Sequence, residues 1–231
     1  MGRAPFGQHP GGRFNFDPPE HVVYVEDFPR RVRALRSGAT VVDSQRVKFV
    51  HETGRLPHYA FPVADVAAGA GAQPEPAADG YVQVPWASAD AWFEEDEQVF
   101  VHPRDPYHRI DSLATSRHVR VSLHGVELAD STAALALYET GLPVRFYLPL
   151  RDVRLGVLEP SDTLTRCAYK GAARHWSARI GDELVADVAW TYDDGVQREA
   201  EAVKGRFCFY NERVDLEVDG QAQERPQTPW S

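Results

Sequence analysis

Ser161-Asp162-Thr163-Leu164-Thr165-Arg166-Cys167-Ala168-Tyr169-Lys170-Gly171-Ala172-Ala173-Arg174-His175-Trp176 places a thiol, a lysine, a glycine and two aromatics in one short segment. Leu164 to Tyr169 and Ala173 to Ile180 mix β-branched, aromatic and polar residues, the composition of strands. Gly171 between them supplies the positive φ that a tight hairpin turn needs. A two-residue loop, Lys170-Gly171, sets Cys167 opposite Arg174; a three-residue loop, Lys170 to Ala172, sets it opposite His175. Opposed residues share a face with close Cβ atoms, so a cation at either position favours the Cys167 thiolate. The plain alternative is a small buried hydrophobe, the usual role of a free cysteine.

Working outward, 231 residues with 43% hydrophobic content supply a core for one large domain or two small ones. Seventeen Gly and 17 Pro punctuate short apolar runs, which points to β structure. A net charge of −9 argues against a nucleic-acid footprint, which needs a concentrated basic face. No apolar run reaches the length of a membrane span, and Met1 to Phe6 has neither an apolar signal core nor a myristoylation signal. The expectation is a cytoplasmic protein without nucleic-acid or membrane partners. Cys167 and Cys208 alone cannot build a structural zinc site, so neither metal nor cofactor is expected.

Laid on itself with Val119 against Val32, a shift of 87 positions, the chain matches from Val32–Val66 to Val119–Val153 without a gap. Gly38/Gly125, Asp43/Asp130, Ser44/Ser131, Glu52/Glu139, Thr53/Thr140, Gly54/Gly141, Pro62/Pro149, Asp65/Asp152 and Val66/Val153 keep one register. This indicates a tandem duplication: an irregular arm at 1–20, copies at 21–113 and 114–220, and a tail at 221–231. It makes the expected assembly a monomer with internal pseudo-dimer character, or a weak homodimer. The later parts align less well: Trp92 can be laid on Trp176, the Ala/Gly/Pro-rich stretch 67–79 reads as a flexible surface loop, and each copy closes on a similar phrase, Arg109-Ile110-Asp111 and Arg213-Val214-Asp215. Period-2 patterning predicts strands near 118–124, 126–130, 134–139, 144–148, 164–169, 173–180, 183–192, 206–210 and 214–218, with turns at His124-Gly125 and Gly181-Asp182. Short helices are expected at 152–158 and 197–204.

Arg145 and Tyr147, two apart, share a strand face. Glu139 precedes a Gly-x-Pro turn that can bring it to Arg145. Such a pair either orients a polar ligand or is a purely structural ion pair. Copy one keeps Glu52 but has His58 and Ala60 in place of Arg145 and Tyr147. Trp176, Trp190 and Tyr192 suit a core or pocket wall. His102, Arg104, Asp105 and His108 form a further polar cluster.

The phrases Ala129-Asp130-Ser131, Glu139-Thr140-Gly141-Leu142-Pro143, Arg145-Phe146-Tyr147-Leu148-Pro149, Leu158-Glu159-Pro160-Ser161-Asp162-Thr163, Cys167-x-Tyr169-Lys170-Gly171 and Ala189-Trp190-x-Tyr192 span copy two. As a set they resemble the bacterial and fungal family known as domain of unknown function 427, also called nucleotidyltransferase-9-like. The resemblance implies a mainly β fold: two tandem β-tent-like lobes of short antiparallel sheets with a few short helices. It also implies that Lys170 of the Tyr-Lys-Gly phrase faces a pocket, where an exposed hairpin-tip lysine would otherwise be solvated. His175 departs from the pattern, standing where the family often has an aromatic. Nothing resembles the Gly-Ser and paired-Asp metal site of nucleotidyl transfer; Asp193-Asp194 reads as a turn. The expected site for a small polar or anionic ligand therefore lies in copy two. Cys167, Lys170 and Glu139 are its catalytic candidates; Arg145, Tyr147, Tyr169, Trp176 and Trp190 are its ligand-binding candidates. It serves an enzyme or, alternatively, a non-catalytic binding or scaffolding module.

Overall fold

The structure is a computed structural model and describes residues 12–228 and Trp230. Its contacts divide the chain into two compact units, one up to Pro106 and one from Tyr107. Part of the N-terminal arm lies outside the described residues; from Gly12 to Val22 it forms no strand.

The first unit contains β1 (Val23–Phe28), β2 (Val32–Arg36), β3 (Ala39–Ser44), β4 (Val47–Glu52), β5 (His58–Pro62), β6 (Gln73–Pro74), β7 (Tyr81–Gln83), β8 (Ala91–Glu94) and β9 (Glu97–Val99). They form two antiparallel sheets, β1-β4-β5-β7-β6 and β3-β2-β8-β9. Phe28, Val32, Phe49, Tyr59, Phe61 and Trp92 are buried between them, and Trp86 stacks on Trp92 with ring centroids 4.9 Å apart.

The second unit contains β10 (Ile110–Ala114), β11 (Val119–Leu123), β12 (Val126–Ser131), β13 (Leu135–Glu139), β14 (Arg145–Pro149), β15 (Leu158–Cys167), β16 (Gly171–Ile180), β17 (Glu183–Thr191), β18 (Arg206–Phe209), β19 (Asp215–Val218) and β20 (Gln221–Ala222). The sheets are β12-β11-β19-β20 and a seven-stranded β10-β13-β14-β18-β17-β16-β15, all antiparallel. Among the described residues helical structure is confined to short 3-10 turns, including 150–152, 155–157 and 198–203. The mainly β fold class therefore stands.

Strand alternation gives the seven-stranded sheet two different faces. Phe146, Leu148, Phe207, Phe209 and Ala189 pack with Val119, Val121 and Leu216 into an apolar core. The opposite face carries Leu137, Tyr147, Cys208, Trp190 and Tyr192, covered by Ala200 and Val203 of the 198–203 turn. Polar candidates alternate onto this second face, and that positions the site.

Each unit repeats the same local devices at the spacing seen in the sequence. Ser37-Gly38 and His124-Gly125 both turn with positive φ at each residue, as a two-residue hairpin of primed type requires. The Ser44 hydroxyl donates to Asp65 at 2.7 Å and that of Ser131 to Asp152 at 2.6 Å. Val42 bridges Val66, and Ala129 bridges Val153. The amide of Val22 donates to Thr53 Oγ1 at 3.0 Å, and that of Arg109 to Thr140 Oγ1 at 2.8 Å. Beyond Val66 and Val153 the units diverge, because β15, β16 and β17 occur only in the second.

Several expectations change. β10 pairs whole with β13, so the unit boundary falls before Tyr107 and not between 113 and 114. Trp92 pairs with Ala34, the place that Leu216 takes opposite Val121, so Trp176 is not its counterpart. Arg109–Asp111 opens a strand beside β13, whereas Arg213–Asp215 leads into a strand beside β11, so the two phrases are not equivalent. The 67–79 stretch is packed rather than a free loop: Ala70 is buried, β6 pairs with β7, and Glu75 meets His58 Nε2 at 2.7 Å. The 221–231 tail is tied down in part, with β20 on β19 and Thr228 bonded to Glu212.

Ser131 also accepts the amide of Ala133, so Ser131→Ala removes two hydrogen bonds at a buried position. The expected cost is about 1–2 kcal/mol, read as a lower urea midpoint with unchanged slope; Ser44→Ala should behave alike.

Candidate functional site

The hairpin that carries the site is built around a close backbone approach. Cys167 pairs with Gly171, so the turn is Ala168-Tyr169-Lys170 and neither register expected from sequence holds. Arg174 opposes Leu164, and His175 opposes Trp190 on β17, leaving Cys167 opposite no cation. Gly171 has φ +101, and a Cβ there would sit 2.1 Å from the carbonyl oxygen of Gly195. Glycine is required so that the 193–197 segment can close over the tip, where Gln197 N–H donates to Lys170 O at 3.1 Å.

That closure buries Lys170. Its ammonium donates to Oε2 of Glu139, while His108 Nε2 donates to Oε1 at 3.0 Å. Glu139 and Lys170 are each 8% exposed. Tyr169 stacks on the His108 ring, centroids 3.8 Å apart and planes 13° from parallel. Burial pushes the Glu139 carboxyl up, but the donors His108 and Lys170 outweigh it and hold the group below its ordinary range. Ion pairs so enclosed are retained at a desolvation cost and are candidates for function.

A second buried pair lies on the same sheet. Arg145 grips Glu212 with two bonds of 2.8 and 2.7 Å, and Thr228 Oγ1 donates to the same carboxylate at 2.6 Å. The guanidinium lies 5.6 Å from the Trp190 ring and 5.9 Å from that of Trp230. Burial raises the Glu212 carboxyl, and Arg145 and Thr228 more than reverse this. Tyr147 is fully buried and its hydroxyl accepts the Trp190 indole N–H at 3.1 Å; burial raises the phenol well above its ordinary range. Burial likewise pushes the Cys208 thiol up to about 12, against the pull of Arg145 and Lys170.

The pairings differ from those expected from the sequence. Glu139 is held by His108 and Lys170, not by Arg145, whose partner is Glu212. Register places Arg145, Tyr147, Cys208, Trp190, His175 and Cys167 on one face. Trp176 is on the other, packed 5.0 Å from Phe207 and donating to Thr191 Oγ1 at 3.2 Å, so it lines the apolar core and not the site. Cys167 is a half-buried free thiol and Cys208 a fully buried one. Glu212 was missed altogether. His108 was seen only as part of a polar cluster, since nothing local ties it to a glutamate in another strand. Among the described residues, no group of three or more His, Cys, Asp or Glu is placed to hold a metal ion.

Gly171→Ala should force the 193–197 segment off the hairpin, at a cost of about 2 kcal/mol or more, visible in the urea midpoint. Glu139 gives a pH signature. Its folded pKa lies below the ordinary value, so its contribution is complete above the unfolded carboxylate pKa and is lost as pH falls through the folded value. Glu139→Gln should therefore flatten the acid limb of the stability–pH curve below about pH 5, measured by denaturation at successive pH values.

No curated protein matches the chain. Residues 111–220, just under half of the chain and including every one of these groups but His108 and the tail residues Thr228 and Trp230, match the family model NTP_transf_9, described as a domain of unknown function (DUF427).

Proposed function

We propose that the second unit binds a small polar or anionic metabolite at the Lys170–Glu139–His108 cluster and acts on it by proton transfer. The chain, on this reading, is a tandem member of its family whose first copy has lost the site. The supporting observation is the burial of Glu139 between two donors, the Lys170 ammonium and the His108 imidazole. Its counterpart in the first unit, Glu52, is partly open to water and pairs with Arg55 at 2.8 Å and His21 at 3.4 Å. A buried carboxylate is thus no requirement of the shared strands. It accompanies β15–β17, which have no counterpart among the described residues of the first unit.

An ammonium carries three N–H donors and Glu139 takes one, leaving donors for a ligand oxygen. Glu139 and His108 are bonded directly and are of the types that exchange protons at moderate pH. Arg145, already satisfied by Glu212, is assigned to structure. A second reading, a non-catalytic binding module, is favoured by the completeness of the pairing, since each charged group already has a protein partner.

A thermal-shift screen of small carboxylates, phosphates and polar metabolites against the full chain tests the reading. Some of these compounds should raise the midpoint of the native protein and of His58→Gln, but not of Lys170→Met. Equal shifts in Lys170→Met, or none anywhere, would refute it. Recovery of a hit chemically unchanged after prolonged incubation selects the binding module.

A further inference from the structure

We propose that Thr165, His175 and Asp187 form a hydroxyl–imidazole–carboxylate relay that makes Thr165 a nucleophile for acyl transfer. The relay is separate from the Lys170 cluster. Thr165 Oγ1 lies 2.9 Å from His175 Nε2, and Thr165 is exposed whereas His175 is only 3% exposed. A water-facing hydroxyl is thus backed by a buried base, the arrangement that activates a hydroxyl. Tyr210 fixes the imidazole plane from 6.1 Å, 21° from parallel.

The other imidazole nitrogen, Nδ1, is buried and finds no protein partner. Oδ1 of Asp187 is likewise without a well-formed hydrogen bond, although Ser161 and Thr163 hold this carboxyl below its ordinary range against burial, and its charge acts on His175. Buried polar atoms are rarely left so, and two of opposite kind within electrostatic reach suit one shared bridging group. Asp187 is held there deliberately. It takes a left-handed φ of 51° where β16 and β17 slip register, next to a second slip in β15 between Pro160 and Leu164. Ser177 Oγ accepts its amide at 3.2 Å, Arg213 donates to its carbonyl at 3.0 Å, and Thr163 donates to Oδ2 at 2.8 Å. Aligned bulges and a strained non-glycine residue gather where side chains are re-aimed for function. Burial, aided by Arg213, lowers the His175 pKa against Asp187, which keeps the ring neutral and able to accept a proton.

The substrate class is an ester or thioester. Thr165 oxygen bonds to the acyl carbon while its proton passes to His175 Nε2. The bond to the leaving alcohol or thiol then breaks, and that group takes the proton from Nε2. Water hydrolyses the acyl-Thr165 ester by the same relay, returning the free hydroxyl and a carboxylic acid. β15 is the last strand of its sheet, so its outer edge offers backbone N–H groups to the oxyanion.

A fluorophosphonate probe with mass spectrometry tests this on the full chain. Attack forms an O–P bond, breaks P–F and releases fluoride, with the hydroxyl proton taken by His175. The expected result is one phosphonyl adduct, mapped to Thr165, kept in Thr165→Ser and absent in Thr165→Ala. Labelling of His175→Phe should be slower by about 100-fold or more, the scale of general-base catalysis. An unlabelled Thr165 in the native chain, or a His175→Phe rate within about twofold of native, would overturn the proposal. If His175→Phe does not fold, the exposed Thr165 variants decide alone: an adduct persisting in Thr165→Ala overturns it.

Discussion

A carboxylate removed from water must have its charge met inside the protein, and Glu139 sets this demand for the second unit. Meeting it draws together three segments distant in sequence: the strand end at 139, the chain before β10 that brings His108, and the hairpin tip that brings Lys170. The tip can deliver Lys170 only because Gly171 lets the 193–197 segment lie against it. Glu212 repeats the principle with Arg145, whose two parallel bonds give the fork geometry that carboxylates favour.

The seven-stranded sheet divides its labour between faces. Apolar side chains on one face pack against the smaller sheet, and the driving force there is removal of surface from water. The other face mixes aromatics with Tyr147, Cys208 and the two ion pairs, so each polar atom needs a partner within it. Stability and candidate chemistry are therefore carried by alternate residues of the same strands.

This division explains what the sequence disclosed. Strands from Val119 to Val218 were legible from alternation except for the first half of β15, where 158 was read into a helical turn and 159–163 into no strand, and the His124-Gly125 and Gly181-Asp182 turns were legible from residue type. The shared Ser–Asp and Thr bonds were foreshadowed by matched residues in the two units. Register at Cys167 was not legible, because Gly171 looks like a turn glycine but is the first residue of β16. Of the two loops open from sequence, the two-residue one differs from the real pairing by an odd slip and puts Cys167 and Trp176 on one face, whereas the pairing of Cys167 with Gly171 separates them. Partners also escaped, since an ion pair between distant strands leaves no periodic trace: Arg145 and Glu212 are 67 residues apart. The bulges in β15–β17 interrupt alternation and hid the bonds of Thr165 to His175 and of Thr163 to Asp187.

The close approach of Gly171 to Gly195 also bears on the order of events as the chain folds. β15 and β16 are joined by a short turn and can zip early, with little loop entropy to overcome. Lys170 stays in water until the distant 193–197 segment arrives and Glu139 is in place. An ion pair completed only by so late an arrival acts on how slowly a protein comes apart more than on how fast it assembles. The hairpin tip is thus a latch on the unfolding side, and the persistence of the native second unit depends on it.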